Sequence, residues 1–104
     1  MVERTLLQRG KVLVRRLVLA PGESTRWHVD RCHRVSVVLA GDVLEIEFRD
    51  GSPNHQVRVE SGQVDWDEPT DHPHRAVNVG NKPYEEIAVF FLNHPDDVAQ
   101  PDAS

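Results

Sequence analysis

Apolar and polar residues alternate with a period of two in two stretches of this chain, and other short runs are rich in Val and Leu. The alternation is cleanest from Asp42 to Arg49, where Leu44, Ile46 and Phe48 fall on one face and Glu45, Glu47 and Arg49 on the other. A half-buried strand requires that pattern. Gln56 to Glu60 alternates through Val57 and Val59, while Lys11 to Leu19 and Val35 to Leu39 are rich in Val and Leu. Glu86 to Leu92 is apolar on both faces, which predicts a strand covered on both sides. Turn signals divide these runs at Pro21-Gly22, Ala40-Gly41-Asp42, Asp50-Gly51-Ser52-Pro53-Asn54, Ser61-Gly62, Pro69-Thr70-Asp71 and Gly80-Asn81-Lys82-Pro83. Short β-rich runs with punctuation this regular predict an all-β sandwich or barrel with little helix. The Asp50–Asn54 segment reads as a hairpin loop between two of the strands. From His94 onward, His94-Pro95-Asp96-Asp97 and Gln100-Pro101 cannot form a regular strand, so residues 94–104 are expected to be a polar, mobile tail.

Composition narrows the class. A chain of 104 residues fits one domain with one core. With 38% hydrophobic and 28% charged residues, disorder of the whole chain is not expected. The net charge of −5, with Arg15-Arg16 the only adjacent pair of cations, gives no electrostatic footprint for nucleic acid or an anionic membrane. No apolar run is long enough to span a bilayer. Met1 to Leu7 lacks a basic region followed by an apolar stretch, so no signal peptide is expected. Cys32 is the only cysteine, which rules out an internal disulfide and a cysteine-built zinc site, and leaves a cytoplasmic location as the expectation. Neither a glycine-rich phosphate loop nor a G-x-S-x-G elbow occurs.

Candidate chemistry lies in the six histidines. His55 and His94, in a turn and in the tail, read as surface residues. His28 and His74 each lie in or beside a predicted strand and follow a turn, Pro21-Gly22 for one and Pro69-Thr70-Asp71 for the other.

The spacing around them resembles the two motifs of the cupin superfamily, G-x5-H-x-H-x3-E-x6-G and G-x5-P-x-G-x2-H-x3-N. Gly22, His28, Asp30, Arg34 and Gly41 occupy the five fixed positions of the first. Pro69, Asp71, His74 and Asn78 occupy the later positions of the second, and Gly62 precedes Pro69 by one residue more than the pattern asks. The resemblance implies a small, single-domain RmlC-like cupin over residues 1–93: an antiparallel double-stranded β-helix, or jelly-roll barrel. In cupins two histidines, a glutamate and a later histidine hold one divalent metal. Here Asp30 replaces the second histidine and Arg34 the glutamate, so only His28 and His74 carry over unchanged.

Strand geometry groups the same residues. His28 and Asp30 are two apart in an extended segment and leave one face together. Imidazole and carboxylate both ligate Fe, Mn, Ni or Zn, and a His28-Asp30-His74 set resembles the two-His-one-carboxylate triad of non-haem iron sites. Arg34 opposes this, because a permanent cation at a ligand position repels an ion. It can instead pair with Asp30 and form a metal-free polar floor.

Two functions therefore stand side by side. One is a metal-dependent enzyme (an oxygenase, isomerase or hydrolase) acting on a small polar or carboxylate substrate. The other is a metal-free barrel that binds or senses a small anionic ligand. Arg26, Arg34, His72 and Asn78 are the expected pocket residues around either site. His33 faces away from the pocket if its strand is regular, and Cys32 reads as an inert thiol. Trp27 and Trp66 read as core or interface packing. The resemblance also implies a homodimer, and strands at the chain ends leave sheet edges that need cover. The apolar faces of Val12, Val14 and Val18, or of Phe90 and Leu92, are the candidate contacts.

Overall fold

The computed structural model describes residues 1–93, so the expected tail and His94 lie outside the described residues. The described chain forms β1 (Val2–Arg9), β2 (Val12–Leu19), β3 (His28–Asp30), β4 (His33–Ala40), β5 (Val43–Phe48), β6 (His55–Arg58), β7 (Val64–Asp67), β8 (Thr70–Asn78) and β9 (Tyr84–Phe91), with no helix among the described residues. All pairings are antiparallel. One sheet has the order β1-β2-β9-β4-β7 and the other β3-β8-β5-β6. No described helix is long and apolar enough to cross a membrane.

The expected β-rich runs build β2, β4, β5, β6 and β9. On β5, Leu44 is buried, while Ile46 and Phe48 on the same face line a cavity between the sheets. Two apolar clusters form the core. Leu13, Cys32, Ala88, Phe90 and Leu92 make one, and Cys32, Ala88 and Phe90 also wall the cavity. Leu19, Val38, Leu44, Val59 and Tyr84 make the other, which meets the cavity only through the adjoining Leu17. Strand β9 is central in its sheet, yet its outer face is only partly covered, with Phe91 exposed.

Two strands depart from the simple rule that apolar residues point inward. Strand β1 is an edge strand, exposed almost throughout and broken by a register shift between Thr5 and Leu7, so it carries no readable period. Strand β7 is inverted: Asp65 and Asp67 are the more buried residues, while Val64 and Trp66 are exposed. Trp66 is therefore not a core residue, being 56% exposed. Trp27 is half-buried beneath the guanidinium groups of Arg49 and Arg75.

The last glycine of the first motif has a packing reason. Gly41 sits at φ +139°, and a Cβ there would come 2.8 Å from Tyr84 Cδ1 and 3.3 Å from Val59 Cγ2. The backbone conformation and the contact both exclude a side chain. Gly41→Ala should lower the unfolding free energy by about 1–3 kcal/mol, read by urea denaturation. A variant as stable as wild type would contradict this packing.

Candidate metal centre

Strand β3 has only three residues, and its pairing with β8 sets His28 directly opposite His74. A register shift follows, so that Asp30 faces Thr70. Strand alternation turns His28 and Asp30 to the same side. The two imidazoles lie 4.5 Å apart between centroids. Their side chains are each 12% exposed and that of Asp30 is 11% exposed.

Both rings are held in the same way. His28 Nδ1 lies 2.7 Å from the Arg26 carbonyl oxygen, and His74 Nδ1 lies 2.8 Å from that of His72. A carbonyl only accepts, so each Nδ1 is the donor and each Nε2 is left to face the cluster. His74 Nε2 reaches Asp30 Oδ2 at 3.0 Å, and His28 Nε2 lies 3.6 Å from Oδ1. One ligand atom from each of the three residues falls within 4.8 Å of the others.

Arg34 also turns inward. Its Nε donates to Asp67 Oδ2 at 3.2 Å and its Nη1 to Asp30 Oδ1 at 3.5 Å. Asp67 is its cross-strand partner on β7. Burial alone would raise the Asp30 carboxyl, but the hydrogen bond from His74 and the charge of Arg34 outweigh it and hold the group at about 2. His74 is raised, chiefly by its bond to Asp30, whereas burial lowers His28.

These groups open onto a cavity of about 800 Å³. Arg15 pairs with Glu3 at 3.4 Å and lies over the Phe90 ring at 4.6 Å. Glu86 accepts a hydrogen bond from Tyr84 at 2.6 Å. Asp67, Glu86, Glu3 and Arg15 also line the cavity, although no motif in the sequence marks them. The only local signal was a charge on the inward register of an apolar strand, as with Glu86 beside Ala88 and Phe90.

Three expected pocket side chains lie elsewhere. Arg26 precedes the start of β3, so it does not share the His28 face; it is 57% exposed and 3.8 Å from Glu3. His72 is 66% exposed and 3.6 Å from Asp50, at a shallow depression outside the main cavity. Each serves the centre through its carbonyl, not its side chain. Asn78 is buried and structural: Nδ2 donates to the Leu19 and Lys82 carbonyls at 2.9 and 2.8 Å, and Oδ1 accepts from Gly80 N–H at 3.0 Å. His33 lies outward beside Trp66 and Glu68, as a regular strand demands. Cys32 is buried against the cavity wall.

Once His74 Nε2 gives up the proton it donates to Asp30, the donor set fits a divalent ion: two imidazoles with oriented Nε2 atoms and one ionised carboxylate. No family model and no curated protein matches the sequence. Solved structures do match it. A cupin domain from Bordetella pertussis Tohama I superposes with a TM-score of 0.75 at 18% identity, covering 86% of this chain and 90% of that one. An RmlC-like cupin family protein with a double-stranded β-helix fold, from Methanocaldococcus jannaschii, gives 0.70 at 18% identity, with coverage of 90% and 81%. An oxalate oxidase in complex with glycolate gives 0.60 at 20% identity, covering 82% of this chain and 44% of that one. The two sheets thus form a double-stranded β-helix barrel. The chain has the cupin fold.

The Asp30–His74 pair makes stability pH-dependent in chelator-treated protein. A carboxyl held down contributes stability present above its unfolded pKa and lost as pH falls toward about 2. A raised imidazole contributes stability that is full below about pH 6.5 and lost as pH rises through its folded value. The contribution should therefore be greatest between about pH 4 and 6.5 and decline on both sides. Denaturation across pH should show both flanks in wild type and neither from this pair in Asp30→Asn. Identical profiles would refute the coupling.

Proposed function

We propose that this chain is a metal-dependent cupin enzyme acting on a small polar, carboxylate-bearing molecule, with His28, Asp30 and His74 holding one Fe, Mn, Ni or Zn ion. The observation that carries this reading is the orientation of the two rings: each Nδ1 is fixed on a carbonyl and each Nε2 faces an ionised carboxylate. When bound, the ion supplies Lewis acidity toward a substrate oxygen, the common need of oxygenation, isomerisation and hydrolysis in such sites. The chain's own residues hold and orient. The cavity of about 800 Å³ admits a small molecule, with Phe48 and Phe90 as apolar wall. Arg34, beside the cluster, would orient an anionic group. The oxalate oxidase of similar fold, solved with glycolate, supports a small carboxylate as the substrate class. A cytoplasmic location belongs to the same reading, supported by a sequence with a single cysteine.

A metal-free barrel that binds a small anion is the second reading. It is favoured by one observation: Asp30 is already engaged by His74 and Arg34. Elemental analysis of untagged protein separates the two, followed by calorimetric titration with Zn, Ni or Mn. Wild type should bind, His74→Ala should lose binding, and Arg34→Glu should bind more tightly, having exchanged a repulsive charge for an attractive one. Tight binding by Arg34→Glu with none by wild type would replace the enzyme reading with the metal-free one.

A homodimer belongs to the proposal as well. Phe90 and Leu92 are core residues and cannot supply the contact. Val12, Val14 and Val18 lie on the outward register of β2, which continues through Phe91 to Trp66, whose rings are 6.0 Å apart. Four strands of eight residues and one of four, at about 4.8 Å spacing and about 3.3 Å per residue, give a face on the order of 600 Å² per copy, at the lower bound of a stable interface. Light scattering at micromolar concentration should give a dimer, and Trp66→Glu a monomer. A monomeric wild type would contradict it.

A further inference from the structure

We infer that Asp67 is a positioning residue for the metal centre: it holds the Arg34 guanidinium so that Asp30 stays available as a ligand. This rests on the metal reading above. A guanidinium free to choose pairs with a carboxylate through two parallel N–H···O bonds near 2.8 Å. Arg34 does not do so with Asp30. It makes a single contact of 3.5 Å through Nη1, at the outer limit of a hydrogen bond. Its Nε is committed to Asp67 at 3.2 Å. The β4–β7 pairing sets the two residues opposite each other, so this hold is built into the sheet.

The consequence is electrostatic and geometric together. Asp67 places a negative charge against Arg34, which lowers the cation's opposition to a divalent ion. It also keeps the guanidinium fork from closing on both oxygens of Asp30. Without Asp67, Arg34 turns onto Asp30 and competes directly for the carboxylate. Glu86 offers an internal comparison. It lines the same cavity with the same charge but bonds Tyr84, and no ion pair joins it to Arg34 within 4 Å among the described residues.

The test is a double-mutant cycle read by calorimetric Zn affinity in wild type, Asp67→Asn, Arg34→Met and the double variant. Asp67→Asn should weaken Zn binding about tenfold in the wild-type background, the loss typical of an outer residue that orients a ligand. In the Arg34→Met background the same change should matter less than about twofold. Asp67→Glu should recover most of the lost affinity. Glu86→Gln removes a charge from the same cavity but no contact to Arg34, and should act equally in both backgrounds. An Asp67→Asn loss of equal size in both backgrounds would reduce Asp67 to a general field and overturn the proposal, as would no loss at all. Should Asp67→Asn fail to fold, Asp67→Ser is read in the same cycle. If neither wild type nor Arg34→Met binds Zn, the metal reading itself falls, and this inference with it.

Discussion

The pairing of β3 with β8 in the register His28 opposite His74 governs the rest of the site. Strand β3 is too short to hold a position alone, but β8 pairs with β5 on its other side, where His74 faces Phe48. The paired strands bring the rings together and turn their Nε2 atoms the same way. The carbonyl two residues before each histidine then fixes its tautomer, Arg26 for one ring and His72 for the other. A slip of one residue in β3 would carry both His28 and Asp30 out of the barrel.

Charge around this pair alternates. Asp30 lies between His74 and Arg34, and Arg34 between Asp30 and Asp67. An isolated arginine buried beside two imidazoles would be costly, and it would oppose any ion entering the cluster. Bridged by two carboxylates, its charge is offset locally and its orientation is set. The inverted β7 follows from this arrangement: Asp67 must face inward to reach Arg34, so Trp66 must face out. The exposed tryptophan and the inward-facing, half-buried carboxylate are two sides of one strand.

Much of this was legible in the sequence. Alternating or Val- and Leu-rich runs bounded by turn residues located five strands, and the spacing from Gly22 to Asn78 brought His28, Asp30, Arg34 and His74 to one place. What stayed hidden depends on pairing between distant strands. Asp67, Glu86 and Arg15 reach the cavity because their strands are neighbours in a sheet, and no local pattern encodes that. Strand β7 could not be read because its burial inverts the usual polarity, and β1 because an exposed, bulged edge carries no period. Arg26, His72 and Asn78 were misread for a common reason. Their positions beside the motifs are required, but two serve through backbone carbonyls and the third as a buried cap on Leu19 and Lys82. Position in a motif does not distinguish side-chain chemistry from backbone support.

The central claim is that two histidines and one aspartate hold the ion while Arg34 remains beside them. X-ray absorption at the zinc edge on the Zn-loaded protein tests it most directly. The expected spectrum shows scattering from two imidazoles with nitrogen and oxygen neighbours at about 2.0–2.2 Å, and no sulfur shell. A sulfur neighbour at about 2.3 Å, which would have to come from Cys32, or a spectrum without imidazole scattering, would contradict it.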